Sequence, residues 1–225
     1  MNKLTKKSLK IKISKEIGTV SALLYTPAKP AAILVFAHGA GAGIKNKFME
    51  TVAVTLGELS IATLRFNFPY MEAGKKVPDR KPVATAAVAA AVEKAHSLYP
   101  KLPVFAGGKS FGGRMTSTAA SEDMLDDIKG IVFFGFPLHA PGKPSSDRAA
   151  HLFEVKVPML FLQGTRDALA SYDLIKPLVK KLGKKSTLYT IEGADHSFHV
   201  PKDNKLSDPE VINMICNEIK SWIGK

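Results

Sequence analysis

Residues 31–37, Ala-Ala-Ile-Leu-Val-Phe-Ala, form an unbroken apolar run of strand length that stops at His38-Gly39. A strand wetted on one face alternates polar and apolar residues, whereas a strand with no polar face needs cover on both sides. The rest of the chain supplies that cover. Segments 61–66, 103–107, 129–134, 157–163 and 186–191 read as further strands. Segments 46–59, 83–98, 111–121, 172–182 and 209–223 read as helices between and after them. Strands alternating with helices imply a mostly parallel sheet flanked by helices on both faces. Ahead of it, residues 9–13 and 18–25 on either side of Gly18 read as an antiparallel hairpin, which Pro27 and Pro30 end. Residues 67–82 read as a Pro-, Gly- and Lys-rich loop. Residues 137–156 offer the only room for a cap, and a small one. With no repeat and no linker, residues 1–225 read as one α/β domain.

Composition narrows the setting. No apolar run approaches the ~18 residues of a membrane helix. The lysines at positions 10, 12 and 15, with Glu16, interrupt any hydrophobic stretch after the basic residues 3–7, so no secretory signal is read and a cytoplasmic location is expected. Cys216 is the only cysteine, which forbids an internal disulfide; among Ile212, Ile215 and Ile219 it reads as a buried apolar residue. The formal net charge of +12 raises nucleic acid or a membrane surface as partners. The lysines are scattered, however, apart from Lys3 to Lys15 and the group Lys180, Lys181, Lys184 and Lys185, which suits the end of a helix. No nucleic-acid-binding signature accompanies them. A solvated basic surface is expected, with neither nucleic acid nor membrane as partner.

Chemistry enters at Gly108-Lys109-Ser110-Phe111-Gly112, followed by Gly113. This is the G-x-S-x-G pattern of a nucleophile elbow, in the strand-then-helix context the pattern requires. Small residues two before and two after the serine let strand and helix approach at a sharp turn that lifts the hydroxyl clear of the sheet. A serine needs a base to take its proton and a third group to hold that base. Asp167, in Gln163-Gly164-Thr165-Arg166-Asp167, and His196, in Gly193-Ala194-Asp195-His196, follow two later strands. The order Ser, Asp, His is the one such folds use, and carboxyl ends of parallel strands are where open α/β sheets place ligands. Asp195 adjoins His196 too closely in sequence to face it, Asp173 falls in a helix, and His199 is the rival imidazole; Asp167 and His196 are preferred. His38-Gly39-Ala40-Gly41 can present backbone N–H groups to a developing oxyanion. The donors expected are Phe111 and Ala40, with Gly39 as the alternative to Ala40 and His38 as a brace for the loop.

Two phosphate-binding readings fail. A P-loop needs a glycine five positions before Gly108, where Pro103 stands, and a dinucleotide fingerprint needs a third glycine where Ile44 stands. No His/Cys group has metal spacing, so neither cofactor nor metal is expected.

These motifs, together with Arg65-Phe66-Asn67-Phe68-Pro69-Tyr70-Met71, Phe136-Pro137-Leu138-His139 and Leu162-Gln163-Gly164-Thr165-Arg166-Asp167, resemble the α/β-hydrolase superfamily over roughly residues 30 to 200. The chain is similar in style to dienelactone-hydrolase-like enzymes, and more specifically to the α/β-hydrolase-like family of testis-expressed and NSL-complex regulatory subunits. The resemblance implies an α/β-hydrolase fold with minimal or no cap. It would give a dienelactone hydrolase a cysteine nucleophile; here the elbow carries Ser110. The second family includes members that resemble scaffolds, so the alternative to a serine esterase or thioesterase is a noncatalytic interaction protein using its basic surface. The expected partner is a small ester. Lys109 and Arg65 are candidate substrate contacts, and with Arg80, Arg114 and Arg166 they could draw in an acidic acyl group, or else form separate surface salt bridges. No feature of the sequence speaks to oligomeric state.

Overall fold

A computed structural model describes residues 4–224; Lys3, counted above in the N-terminal basic group, lies outside them. One eight-stranded sheet runs in the order β1-β2-β4-β3-β5-β6-β7-β8. The strands are β1 (Thr5–Ser14), β2 (Gly18–Thr26), β3 (Ala32–Ala37), β4 (Ile61–Phe66), β5 (Val104–Lys109), β6 (Ile128–Phe134), β7 (Met159–Gly164) and β8 (Ser186–Ile191). β1 and β2 are antiparallel and β2 joins β4 antiparallel, while β4, β3, β5, β6, β7 and β8 are all parallel. The helices are α1 (Lys47–Glu58), α2 (Pro69–Glu72), α3 (Lys81–Leu98), α4 (Phe111–Ser121), α5 (Tyr172–Leu182) and α6 (Asp208–Ile223).

β3 is buried at every residue, and its alternation divides the core. Ile33, Val35 and Ala37 join one apolar cluster with Val88 and Ala91 of α3, Met115 of α4 and Ile175 of α5. Ala32, Leu34 and Phe36 join a second with Met49 and Val52 of α1 and Ile215 and Cys216 of α6. The apolar run at 31–37 is therefore a central strand covered on both sides, and Cys216 is the buried apolar residue expected of it.

The hairpin is longer than the apolar pattern suggested. β1 extends back to Thr5 through Lys6, Lys7 and Ser8, all exposed, because an edge strand takes charged side chains that discourage further pairing. The 67–82 segment holds α2, a four-residue helix opened by Pro69. Glu72 at its end accepts hydrogen bonds from Ser21 N (3.0 Å), Ser21 Oγ (2.7 Å), Lys10 Nζ (2.9 Å) and Asn67 Nδ2 (2.9 Å), tying helix to hairpin. Burial alone would raise its pKa, but the four donors outweigh burial and hold it down at about 2. The β6–β7 connection makes only a 3-10 turn at Asp147–Phe153. This turn lies clamped on the body: Ala149 and Leu152 are in the core, and Lys185 Nζ donates to the carbonyls of Phe153 (2.8 Å) and Val155 (2.7 Å). No described helix is long and apolar enough to cross a membrane.

The tightest helix-on-sheet contact is where α4 leaves β5. A Cβ on Gly108 would stand 2.5 Å from the Ala37 carbonyl oxygen, and one on Gly112 would stand 2.5 Å from that oxygen and 2.6 Å from that of His38. Both obstacles are backbone, which cannot swing aside. Gly112→Ala should destabilise the protein by about 1–3 kcal/mol through overpacking, read as a lower urea midpoint at unchanged m-value; a variant as stable as the parent would refute the contact.

Candidate active site

The turns after β3, β5, β7 and β8 open at one edge of the sheet, since these strands are parallel. Ser110 stands between the last residue of β5 and the first of α4, at φ 51° and ψ −114°. Non-glycine residues rarely hold positive φ, and such strain persists only where the surroundings enforce it. Here the glycines on both sides and the short step from strand to helix do so. The first turn of α4 leaves the Phe111 N–H without a partner inside the helix, pointing out of its N-terminus.

Asp167 and His196 meet across the β7 and β8 turns, with 2.7 Å between Asp167 Oδ2 and His196 Nδ1. The Asp167 carboxylate is fully buried. It also accepts from Gln163 Nε2 at 2.5 Å and from the Leu169 amide at 2.7 Å. Burial pushes this carboxyl up, but the hydrogen bond and charge of His196, the Leu169 amide and Lys109 together hold it below the usual range. His196 Nε2 is buried with no hydrogen-bond partner, which leaves that nitrogen free on the side of the ring away from Asp167. Hydrogen bonds to a catalytic base are often long in unliganded sites and tighten with substrate.

The rival acids and histidine are occupied elsewhere. Asp195 Oδ1 accepts from the amides of Ser197 (2.7 Å) and His199 (3.0 Å), shaping the loop that carries His196. Asp173 is exposed in the first turn of α5. His199 is exposed and pairs with Asp208 at 2.5 Å.

The His-Gly loop lies against the elbow: a Cβ on Gly39 would be 3.8 Å from Ser110 Cβ. The Gly41 amide donates to Tyr70 Oη (2.9 Å) and that of Ala42 to the Gly39 carbonyl (3.1 Å). The Ala40 amide is left unpartnered among the described residues. His38 is buried and braces the loop. Its Nε2 accepts the Phe68 amide at 3.1 Å, so its proton sits on Nδ1, which donates to the Gly39 carbonyl at 2.7 Å. Burial lowers this imidazole to about 4. The 67–72 segment thus buttresses the loop through Phe68 and Tyr70, and Asn67 Oδ1 accepts the Ile44 amide at 3.1 Å. Sequence reasoning singled out this segment without giving it a role, and it missed Gln163 as a holder of Asp167. The signal was there: each of these polar side chains lies beside a strand end.

Two sequence-derived candidates are corrected. Arg65 is fully buried. Its Nη1 donates to the Ile44 carbonyl at 2.8 Å and its guanidinium lies 4.6 Å from the Tyr25 ring, so it offers no charge to a ligand. Lys109 turns inward too, its Nζ donating to the His196 carbonyl. Of the other arginines considered, Arg80 and Arg166 are exposed and Arg114 is half-buried. The ion pairs among the described residues run through lysine or histidine, not arginine, so the surface salt bridges expected for these arginines do not form. Among the described residues no cluster of three or more His, Cys, Asp or Glu is arranged to hold a metal. A hollow of about 530 Å³ lined by Tyr189, Leu206, Glu210 and Asn213 flanks α6 and includes no residue of the site.

A family model described as an alpha/beta hydrolase domain matches residues 30–224. Among solved structures, an alpha-beta serine hydrolase homologue from Coxiella burnetii superposes with a TM-score of 0.76 at 17% identity, covering 96% of this chain and 97% of that one. A dienelactone hydrolase from Anabaena variabilis gives 0.75 at 18% identity over 98% and 97%. An a/b serine hydrolase without lid from Xanthomonas campestris gives 0.74 at 18% identity over 96% and 94%. These likenesses are of fold.

His38 and His151 make the stability of this edge pH-dependent. His151 is half-buried, with Nε2 2.8 Å from Ser117 Oγ, and burial and then the Arg114 charge lower it to about 4. Both histidines are neutral when folded and charge more easily when unfolded. Between about pH 6.5 and pH 4 the unfolded chain therefore binds more protons, and stability falls as pH falls through that window. Urea midpoints should decline from pH 7 to pH 4.5, and His151→Gln should lessen the slope by about one proton; an unchanged slope would exclude His151 as a source.

Proposed function

The chain belongs to the alpha/beta hydrolase domain family, and from that footing we propose that it is a serine hydrolase acting on small esters or thioesters through an acyl-enzyme on Ser110. The observation that carries the reading is the buried Asp167–His196 contact of 2.7 Å, with His196 Nε2 left unpartnered, at the same sheet edge as a serine held at φ 51°.

In this reading Ser110 Oγ attacks the carbonyl carbon while His196 Nε2 takes its proton. Asp167 keeps the other imidazole proton on Nδ1 and stabilises the ring once charged. The amides of Phe111 and Ala40 receive the oxyanion; one such donor is typically worth about 3 kcal/mol in the transition state. The tetrahedral intermediate collapses, the imidazolium protonates the leaving oxygen or sulfur, and the acyl group stays on Ser110. Water then enters, gives its proton to His196, and releases the acid. The depressed pKa of Asp167 keeps it ionised at neutral pH, as this role requires. The clamped β6–β7 connection favours small or exposed esters, because little covers the serine.

A fluorophosphonate probe followed by peptide mass spectrometry should label the peptide carrying Ser110 and no other, and Ser110→Ala should abolish both labelling and esterase turnover while leaving the fold intact. A folded wild-type protein that resists the probe would overturn the reading in favour of a noncatalytic interaction protein. Asp167→Asn should lower kcat toward p-nitrophenyl acetate by about 10⁴-fold, since the amide favours the wrong imidazole tautomer; a loss under tenfold would remove Asp167 from the mechanism.

A further inference from the structure

We propose that Lys109 is a positioning residue for His196, a cation inside the protein that ties the loop of the base to the strand of the nucleophile. The inference rests on the hydrolase reading above and deepens it.

Lys109 ends β5 and immediately precedes Ser110. Successive strand residues point to opposite faces, so Lys109 shares the side of Phe105 and extends toward the α1/α6 layer, where Phe134 and Phe198 lie. Its Nζ donates to the His196 carbonyl and lies 5.5 Å from the centre of the Phe198 ring. One point locates it relative to the catalytic pair. A Cβ on Gly135, which has φ +69°, would stand 3.2 Å from Lys109 Nζ, 3.3 Å from His196 Nδ1 and 3.4 Å from Asp167 Oδ2. The ammonium, the imidazole and the carboxylate thus converge on one missing side chain. The Lys109 backbone and stem also meet the His-Gly loop, 3.5 Å from where a Gly39 Cβ would be. One residue therefore touches the strand of Ser110, the loop of His196 and the loop of Ala40.

The charged groups facing it are Asp167 from the turn after β7, and Asp195 with His196 from the turn after β8. From the β3 side it meets the Gly39 backbone, and from β6 the bare α-carbon of Gly135. Burial drives the ammonium down to about 8, against the support of Asp167 and Asp195. Below that pH the charged amine holds the His196 backbone. Above it, the charge and the strong donor are lost, and the loop that aims the imidazole loosens. Misplacement of a base by about 1 Å can cost about 10²-fold in rate.

The test follows kcat and KM for p-nitrophenyl acetate from about pH 6 to pH 10 in wild type, Lys109→Met and Lys109→Gln. Wild-type kcat should fall with an apparent pKa near 8. Lys109→Met should lose about 10²-fold in kcat at unchanged KM, and its profile should lack the alkaline limb. Lys109→Gln keeps an N–H donor without the charge; it should recover part of the rate and also lack the limb. A limb that persists in both variants, or a rise in KM at constant kcat, would overturn the proposal, the latter making Lys109 a substrate contact. The backbone amide resonances of residues 195–199, followed by NMR, are independent of turnover. They should shift in Lys109→Met, because the loop has lost the donor that holds its His196 carbonyl, and unmoved resonances overturn the positioning role. If Lys109→Met does not fold, Lys109→Gln carries both arms. Failure of wild-type Ser110 to react with fluorophosphonate would fault the hydrolase reading, while the amide resonances would still decide whether Lys109 holds the His196 loop.

Discussion

The backbone contact between the first turn of α4 and the end of β3 sets the rest of the site. With Gly108 and Gly112 both against the Ala37 carbonyl, the chain must pass from strand to helix within one residue, and Ser110 takes the positive φ that this step demands. The same proximity brings the His-Gly loop beside the serine, because that loop is the continuation of β3. It also aims the open N-terminus of α4 at the space in front of Ser110, where a developing negative charge is favoured. The backbone of Ser110, the direction of the open α4 N-terminus and the position of the His-Gly loop are three consequences of one close approach. A side chain at either glycine would disturb all three together.

The parts of this arrangement that could be read from the sequence are those governed by backbone logic. An unbroken apolar run of β-strand length marks a strand covered on both faces, as β3 is, and β4 and β8 occupy the segments expected of them, 61–66 and 186–191. The G-x-S-x-G spacing is a steric statement about the turn, so it locates Ser110. The preference for Asp167 over Asp195 is likewise geometric, and the structure brings Asp167, not its rival, to His196. What escaped was governed by side-chain direction. A lysine or arginine beside a strand end reads as a surface charge, since long cations usually carry their heads to water. Lys109 and Arg65 instead turn inward, and nothing in their local spacing marks that, because the groups that receive them lie far off in sequence. The helix α2 escaped for a related reason: four residues are too few for periodicity, and Glu72 is held there by Ser21 and Lys10 from the hairpin.

The two inward cations are compensated differently. Among the described residues Arg65 has no carboxylate in direct contact. It rests on the face of Tyr25, whose hydroxyl donates to Glu50 at 2.6 Å, and among the described residues its Nε and Nη2 are unpartnered, as is Thr63 Oγ1. A guanidinium tolerates this because its charge is spread and weakly hydrated and its plane stacks on an aromatic ring. An ammonium does not, so Lys109 is placed near Asp167 and Asp195 and given a carbonyl. The residue types are therefore not interchangeable between the two positions. Burial lowers the Arg65 pKa, but an arginine stays charged at any ordinary pH, whereas the lysine can titrate within reach of the working range.

How little covers the site bears on how it would have to work. The β6–β7 connection is pinned by Lys185 and by the burial of Leu152, so it is not free to fold over Ser110 and expel water on binding. The proposed reaction could then not rely on closure to strengthen its electrostatics, and its donors and base would have to be in position beforehand. The structure is consistent with that demand in the number of fixed contacts behind the site. His38 and Tyr70 hold the Ala40 loop, Gln163 and the Leu169 amide hold Asp167, and Asp195 and Lys109 hold the loop of His196. His38, Tyr70 and Gln163 are themselves buried, so each fixes its neighbour while shielded from competing water.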